Sequence, residues 1–316
     1  MSAVSVQKPE DKIGELFESP PTYVADSSAV VDWCTARGLP TERLEDYDVS
    51  RRGNVVLICS AWAAYRHRPA LERRFGECAV LFVPLAAFGN SLAANEYTLA
   101  KLIESDPATS VVRQRDRRAA LARQPTIRHF IGPGTDVAVE IPDKERLCYT
   151  ADPALRRGDF RSAALYFELS LEISRAQGRS PGAVNGFLTC DGLLVARNHR
   201  LAAADQSLFE AALELQQSAA EAGRVEVDIE SNSIVSCRWG GQDRSPQLER
   251  VAGELGRRLT EFSVGVNEEL ARSPICWHHN SQLNEGAAGI HIGVGIGIGG
   301  AHVDLVCTDA QLAETR

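Results

Sequence analysis

Five side chains near the C-terminal end of the sequence, Glu261, Glu285, His291, His302 and Asp304, are of the types that hold catalytic metal ions. Imidazole and carboxylate together form the ligand set of hydrolytic Zn, Co or Mn sites. His302 and Asp304 stand two apart in AHVDLV, so on a strand both side chains leave the same face. His291 lies in GIHIGVG, six residues after Glu285, and a turn built on Gly297, Gly299 and Gly300 lets the next strand fold back beside it. Glu261 sits among apolar residues in TEFSVGVN, where a core strand is expected. In a two-metal site a bridging carboxylate holds both ions, a bound water is acidified, and a further carboxylate can act as general base and acid. A histidine on a strand is often only a packed or surface residue, and an HxD pair arises readily by chance. The residue types alone therefore leave a packing role open.

Strands must position these groups, and the sequence supplies its elements in two regimes. In the first, SSAVVDWCTARG (Ser27 to Gly38) has helical spacing and ends on a helix-stopping glycine. NVVLICSAW (Asn54 to Trp62) and CAVLFVPLAAF (Cys78 to Phe88) are continuous apolar runs, suited to strands buried on both faces of an α/β sheet. HRPALERRFGE and ANEYTLAKLIESD read as helices. A second regime starts at RHFIGPGTDVAVEIP (Arg128 to Pro142), where extended segments and glycine turns take over. In LYFELSLEIS the apolar residues Leu165, Phe167, Leu169, Leu171 and Ile173 alternate strictly, which predicts a strand with Glu168 and Glu172 on its non-core face. NGFLTCDGLLVA and VEVDIESNSIVSC are further strand candidates, and DQSLFEAALELQQSAAEAG is a helix ending at Gly223. The expected fold class is α/β plus α+β: an α/β N-terminal domain over residues 1–125 and a strand-rich domain over residues 126–316.

Composition excludes several function classes. A formal charge of −8 argues against a general nucleic-acid binder, and the one basic run, Arg113 to Arg123, reads as a solvated helix face. No apolar run is long enough to span a membrane, and the flexible-looking start MSAVSVQKPEDKIGELFESPP has no secretory pattern. The eight cysteines form no CxxC pair and lie mostly in apolar stretches, as reduced thiols of a cytoplasmic protein do.

Four stretches in order, GPGTDVAVEI, VNGFLTCDG, TEFSVGVN and NEGAAGIHIGVG with GGAHVDLV, give the second domain a family likeness. It resembles the thermophilic-type metallo-aminopeptidases, the family of aminopeptidase T and similar leucyl aminopeptidases. That resemblance implies one or two divalent metals (Zn, Co or Mn), with Glu261, His291, His302 and Asp304 on ligand positions and Glu285 as the catalytic carboxylate. A further ligand position, in the family a Gly-Glu-Val turn before VNG, falls nearest to Glu172, with Glu168 second. It also implies a peptide partner and a homodimer, and an open strand edge could accept a peptide as an added strand.

The sequence departs from the family pattern as well. Neither glutamate follows a glycine, no tyrosine follows His291, and the chain stops twelve residues after Asp304. In this shortened form it resembles the peptide-binding proteins of ribosomal-peptide natural-product pathways, such as the crocagin clusters. The expected function is a peptide-binding pseudoenzyme that engages a precursor peptide in an aminopeptidase-like groove. The alternatives are an active divalent-metal-dependent aminopeptidase and a metal-free relic in which both histidines only pack.

Overall fold

Continuous runs of β-branched apolar residues bury both faces of a strand, and the first half of the chain uses them that way. The computed structural model describes residues 12–89, 91–123, 126–141, 147–173, 182–272 and 274–314. Strands Asn54–Ile58 and Ala79–Val83 lie inside a five-stranded parallel sheet in the order Thr41–Arg43, Thr22–Ala25, Asn54–Ile58, Ala79–Val83, Phe160–Ser162. One face is covered by a cluster including Trp33, Val56 and Leu81, the other by one including Val55, Phe75 and Val80. The last strand of this sheet comes from beyond residue 125, so the chain returns to the first layer after it has begun the second. The basic run lies on helix Pro107–Arg123. Its Arg115, Arg117 and Arg118 are exposed, whereas Arg113 makes a bidentate pair with Glu269 at 2.8 and 2.9 Å.

Beyond Arg128 burial alternates along the strands and the sheets are antiparallel. One sheet contains β1 (Glu168–Glu172), β2 (Gly192–Ala196), β3 (Leu259–Gly265), β4 (Gly289–Val294) and β5 (His302–Cys307), in the order β2-β5-β4-β3-β1. A seven-stranded sheet that includes Thr135–Glu140, Ala183–Cys190 and Val225–Glu230 packs against one face of it. Leu171, Phe262, Ile292 and Leu305 meet Val137, Leu188 and Val227 in the interlayer, where the Phe130 and Phe262 rings are 5.2 Å apart. A parallel α/β layer joined to a strand-rich α+β region is the fold class the sequence patterns implied.

Two local readings come out differently. The alternation in LYFELSLEIS does not make one strand: Ala163–Tyr166 is a 3-10 turn, and β1 starts only at Glu168. Tyr166 is fully buried there while Leu165 is 41% exposed, so burial follows the turn and not a pleat. The run Cys78 to Phe88 is strand only to Val83. Pro84 has no N–H for the ladder, and Leu85–Phe88 becomes a short helix. Among the described residues no helix is long and apolar enough to cross a membrane, and all eight cysteines are free.

Candidate metal centre

Antiparallel register decides which side chains of the five-stranded sheet can meet. Asp304 pairs with Gly293, Gly293 with Glu261, and His291 with Ser263. These residues and His302 therefore leave one face of the sheet, the face turned away from the apolar interlayer. Glu261 reaches that face through a β-bulge. Leu259 and Glu261 pair with the adjacent residues Val294 and Gly293, leaving Thr260 as the extra residue. Leu259 consequently enters the core, and Glu261, only two residues on, points the other way.

Glu285 approaches from the opposite wall, at the end of the one-turn helix Gln282–Glu285. Helix Leu92–Glu104 of the first layer anchors that wall. Thr98 Oγ1 bonds to Ser281 Oγ at 2.8 Å, and Tyr97 donates its hydroxyl to Asn284 Oδ1 at 2.9 Å. The site thus lies between the sheet, which contributes Glu168, Glu261 and Asp304, and this wall, which contributes Glu285.

His291 is fully buried, and its Nε2 lies 3.5 Å from Glu168 Oε2, 3.7 Å from Glu261 Oε1 and 4.0 Å from Glu285 Oε1. His302 Nε2 lies 2.9 Å from Asp304 Oδ1 and 3.8 Å from Glu261 Oε2. Ligand atoms of Glu168, Glu285 and His291 fall within 4.8 Å of one another, as do those of Glu285, His302 and Asp304. Glu285 belongs to both groups, and Glu261 faces both histidines. The hydroxyls of Ser170 and Ser263 both donate to Glu261 Oε1 at 2.6 Å and fix its orientation. His302 Nδ1 lies 2.9 Å from the Gly295 carbonyl, a donation that turns Nε2 toward the cluster, as a backbone partner does for a metal-binding histidine.

Crowding four carboxylates into a buried site sets their protonation. Burial, then Glu285, Glu261 and Asp304, push Glu168 well above the usual carboxylate range. Burial and Asp304 push Glu285 up to about 8. Burial opposes the ionised form of Glu261, but the His291 and His302 contacts and the Ser170 hydrogen bond outweigh it and hold this carboxyl below its usual range. Burial also works against charge on His302, yet Asp304 and Glu261 raise it to about 10. His291 is raised despite burial by Glu261, Asp304 and Glu285.

The donor set fits divalent cations. Both ring nitrogens of His291, Glu168 Oε2 and both Asp304 oxygens are buried without a hydrogen bond of good geometry, a condition native proteins seldom leave unresolved. With the histidines neutral, the four carboxylates Glu168, Glu261, Glu285 and Asp304 carry a formal −4, which two divalent ions would balance.

Of the two glutamates considered for the remaining ligand, Glu168 lies in the cluster. Glu172 is exposed at the far end of β1, opposite Glu261 in register. Alternation puts both on one face, and only register separates them: Glu168 sits opposite Gly265 and its Oε2 lies 3.5 Å from His291 Nε2, whereas Glu172 sits opposite Glu261 at the exposed end. Ser170 and Ser263 were not singled out in the sequence, since nothing local distinguishes a serine that orients a carboxylate. The sheet edges offer less room for an added strand than expected. The Val195 backbone of β2 is bonded in both directions by the Asn280 side chain, and Ser170 of β1 pairs with Cys148.

Gly293 is where the two strands of the hairpin depend on glycine. A Cβ there would stand 2.7 Å from His302 Cε1 and 2.8 Å from Asp304 Oδ1. Both are side-chain ends, so Gly293→Ala is expected to keep the fold and displace two ligands. Metal affinity measured by titration should fall about 10- to 100-fold, the cost typical of disturbed ligand orientation. Unchanged affinity would remove His302 and Asp304 from the ligand set.

No curated protein matches the chain. Among solved structures, it is similar to wild-type AmpT from Thermus thermophilus, at 15% identity and a TM-score of 0.49, over 94% of this chain and 91% of that one. It is also similar to 2,5-dihydroxypyridine dioxygenase from Pseudomonas putida KT2440, at 11% identity and a TM-score of 0.45, over 93% and 88%. The family model of the crocagin biosynthetic protein CgnE/B matches residues 18–315, nearly the whole sequence, and the chain belongs to that family.

Proposed function

We propose that the protein binds a precursor peptide in crocagin-type ribosomal-peptide biosynthesis. In this reading the peptide crosses the polar face of the five-stranded sheet, beside divalent cations held by Glu168, Glu261, Glu285, His291, His302 and Asp304. The observation that carries it is His291, a fully buried ring with neither nitrogen hydrogen-bonded and three carboxylates within 4.0 Å of Nε2. A histidine with only a packing role would ordinarily have a hydrogen-bond partner, which disfavours the metal-free relic. Membership in a crocagin biosynthetic family supports a peptide as the occupant. Bound cations would supply Lewis acidity toward a peptide carbonyl. The chain's own groups set the frame: two serines fix Glu261, and the Gly295 carbonyl fixes His302.

A second reading is an active metal-dependent aminopeptidase, and Glu285 is what favours it. A buried carboxyl pushed up to about 8 has the proton affinity of a general acid and base at neutral pH. Titration calorimetry with a crocagin-type precursor peptide, run beside a hydrolysis assay on leucine p-nitroanilide with added Zn, Co or Mn, separates the two. Peptide binding with little or no release of nitroaniline is expected. Brisk metal-dependent release that Glu285→Gln abolishes would establish the peptidase instead.

A further inference from the structure

A cavity of about 210 Å³, sharing no residue with the cluster, is walled by helix Leu92–Glu104 of the first layer and helix Gln206–Ala222. Ser91, Ala94, Asn95 and Thr98 line it at the spacing of one face of the first helix. Leu213, Gln216 and Gln217 come from the second, and His278, His279 and Asn280 complete the polar wall. Gly89 also borders the space, and a Cβ built on it would meet nothing within 4 Å. No carboxylate lines the cavity, and its two histidines are the only side chains there that can carry charge.

The hydrogen bonds around it are one-sided. Nearby carbonyl oxygens are already taken: Phe88 by the Asn280 amide, Trp277 by Gln216, His278 by Gln217 at 2.8 Å, and His279 by Asn284 at 3.3 Å. Donors are left over. Helix Leu92–Glu104 begins at Ser91, whose side chain makes no cap, and its first bond runs from the Asn95 N–H back to the Ser91 carbonyl. The N–H groups of Leu92, Ala93 and Ala94 have no acceptor among the described residues. Asn95 is only 8% exposed, and among the described residues its side-chain amide has no hydrogen bond. Native proteins seldom leave a polar side chain that buried unpaired, and this one lines the cavity. His279 packs its ring on Tyr97 at 4.9 Å and His278 is exposed; each carries an N–H donor in either tautomer.

Bare N–H groups at the positive end of a helix, an unpaired buried amide and two imidazoles all favour a negative group with several oxygens. From this geometry we propose that the cavity binds one oxyanionic group, a carboxylate or a phosphate, at the first turn of helix Leu92–Glu104. Leu85, Phe88 and Leu213 give it an apolar surround suited to a short hydrocarbon body behind a carboxylate. The cavity is smaller than the roughly 300–1,000 Å³ of sites that enclose a whole drug-sized ligand. Its occupant is therefore small, or is one end of a longer molecule. The site stands apart from the cluster and does not rest on the peptide reading.

Titration calorimetry of the full chain with inorganic phosphate, isocaproate and the uncharged isocaproamide tests it. At least one of the two anions is expected to bind, about tenfold or more tightly than the amide, the worth of a hydrogen bond to charge. The tighter of the two names the source, phosphate or carboxylate. Asn95→Leu keeps the size of the side chain and removes its donors, so it should weaken that anion about tenfold. Ser91→Asp sets a carboxylate of the protein's own at the helix start. It should weaken the anion about tenfold or more while the melting temperature holds or rises, which separates loss of the site from loss of the fold. An amide that binds as tightly as the anions, binding of neither anion, or anion binding that survives either substitution in folded protein would overturn the proposal.

Discussion

Metal-stripped protein is expected to melt higher when Zn²⁺ or Mn²⁺ is added at pH 8, and to respond little at pH 5. The reason is proton competition. Glu168 and Glu285 are raised, the latter to about 8, and His302 is raised to about 10, so at pH 5 all three sites hold protons that an incoming cation must displace. For the metal-free chain the sign follows from the same shifts. A carboxyl raised above its usual 4.5 favours the folded state fully below that value, and the advantage is lost as pH climbs through about 8. His302 behaves alike, its contribution full below 6.5 and lost as pH passes about 10. Glu261, held low, contributes at neutral pH and loses its contribution only as pH falls through its depressed value. Metal-free stability should therefore decline from pH 5 toward pH 9, where cation binding offsets the decline most. At a cation concentration a hundred times the dissociation constant, the gain is about 2.7 kcal/mol, or roughly 5 °C for a chain of this size. Scanning calorimetry at the two pH values decides it: a melting temperature indifferent to metal at pH 8, or equally responsive at pH 5, contradicts the site.

Glu168→Gln should do what few buried substitutions do and stabilise the metal-free protein. Glu168 Oε2 is buried without a hydrogen bond, and Glu285, Glu261 and Asp304 all oppose its ionisation. An amide of the same shape removes that charge. Replacing a buried charge by a neutral group of similar volume is often stabilising by about 1–4 kcal/mol, and a gain of that order is expected at pH 9. The same variant should lose most of its response to added cation. Glu172→Gln, at the exposed end of the same strand, should leave the cation response in place. Destabilisation of metal-free Glu168→Gln at pH 9 would mean that the carboxylate is satisfied in some other way.

Much of this arrangement is legible in one dimension. Two-residue spacing put His302 and Asp304 on a common face, and the glycine-rich turn brought β4 beside β5. Continuous apolar runs marked the parallel sheet because burial on both faces leaves no alternation to read. The choice between Glu168 and Glu172 needed the pairing of β1 with β3, a contact between segments some ninety residues apart that local spacing does not encode. The 3-10 turn at Ala163–Tyr166 escaped for a related reason. Its alternating composition satisfies a strand pattern, and only the packing of Tyr166 and Phe167 into the first layer's core selects the turn. Glu285 was found by its motif, but its place on the opposing wall depends on the side-chain bonds from Tyr97 and Thr98.

The unpaired Thr260 makes the strand's parity part of the site. Between Leu259 and Glu261 the chain spends one residue on changing sides, so the core leucine and the cluster glutamate stand two positions apart, a spacing that an unbulged strand would place on one face. If the same three residues paired without the bulge, the glutamate would point into the seam between the two antiparallel sheets, among Phe262, Ile292 and Leu305, or else the leucine would be driven out of it. Segment length at this point therefore tells whether a relative needs the bulge at all: with one residue fewer, a regular strand already sets the leucine and the glutamate on opposite faces.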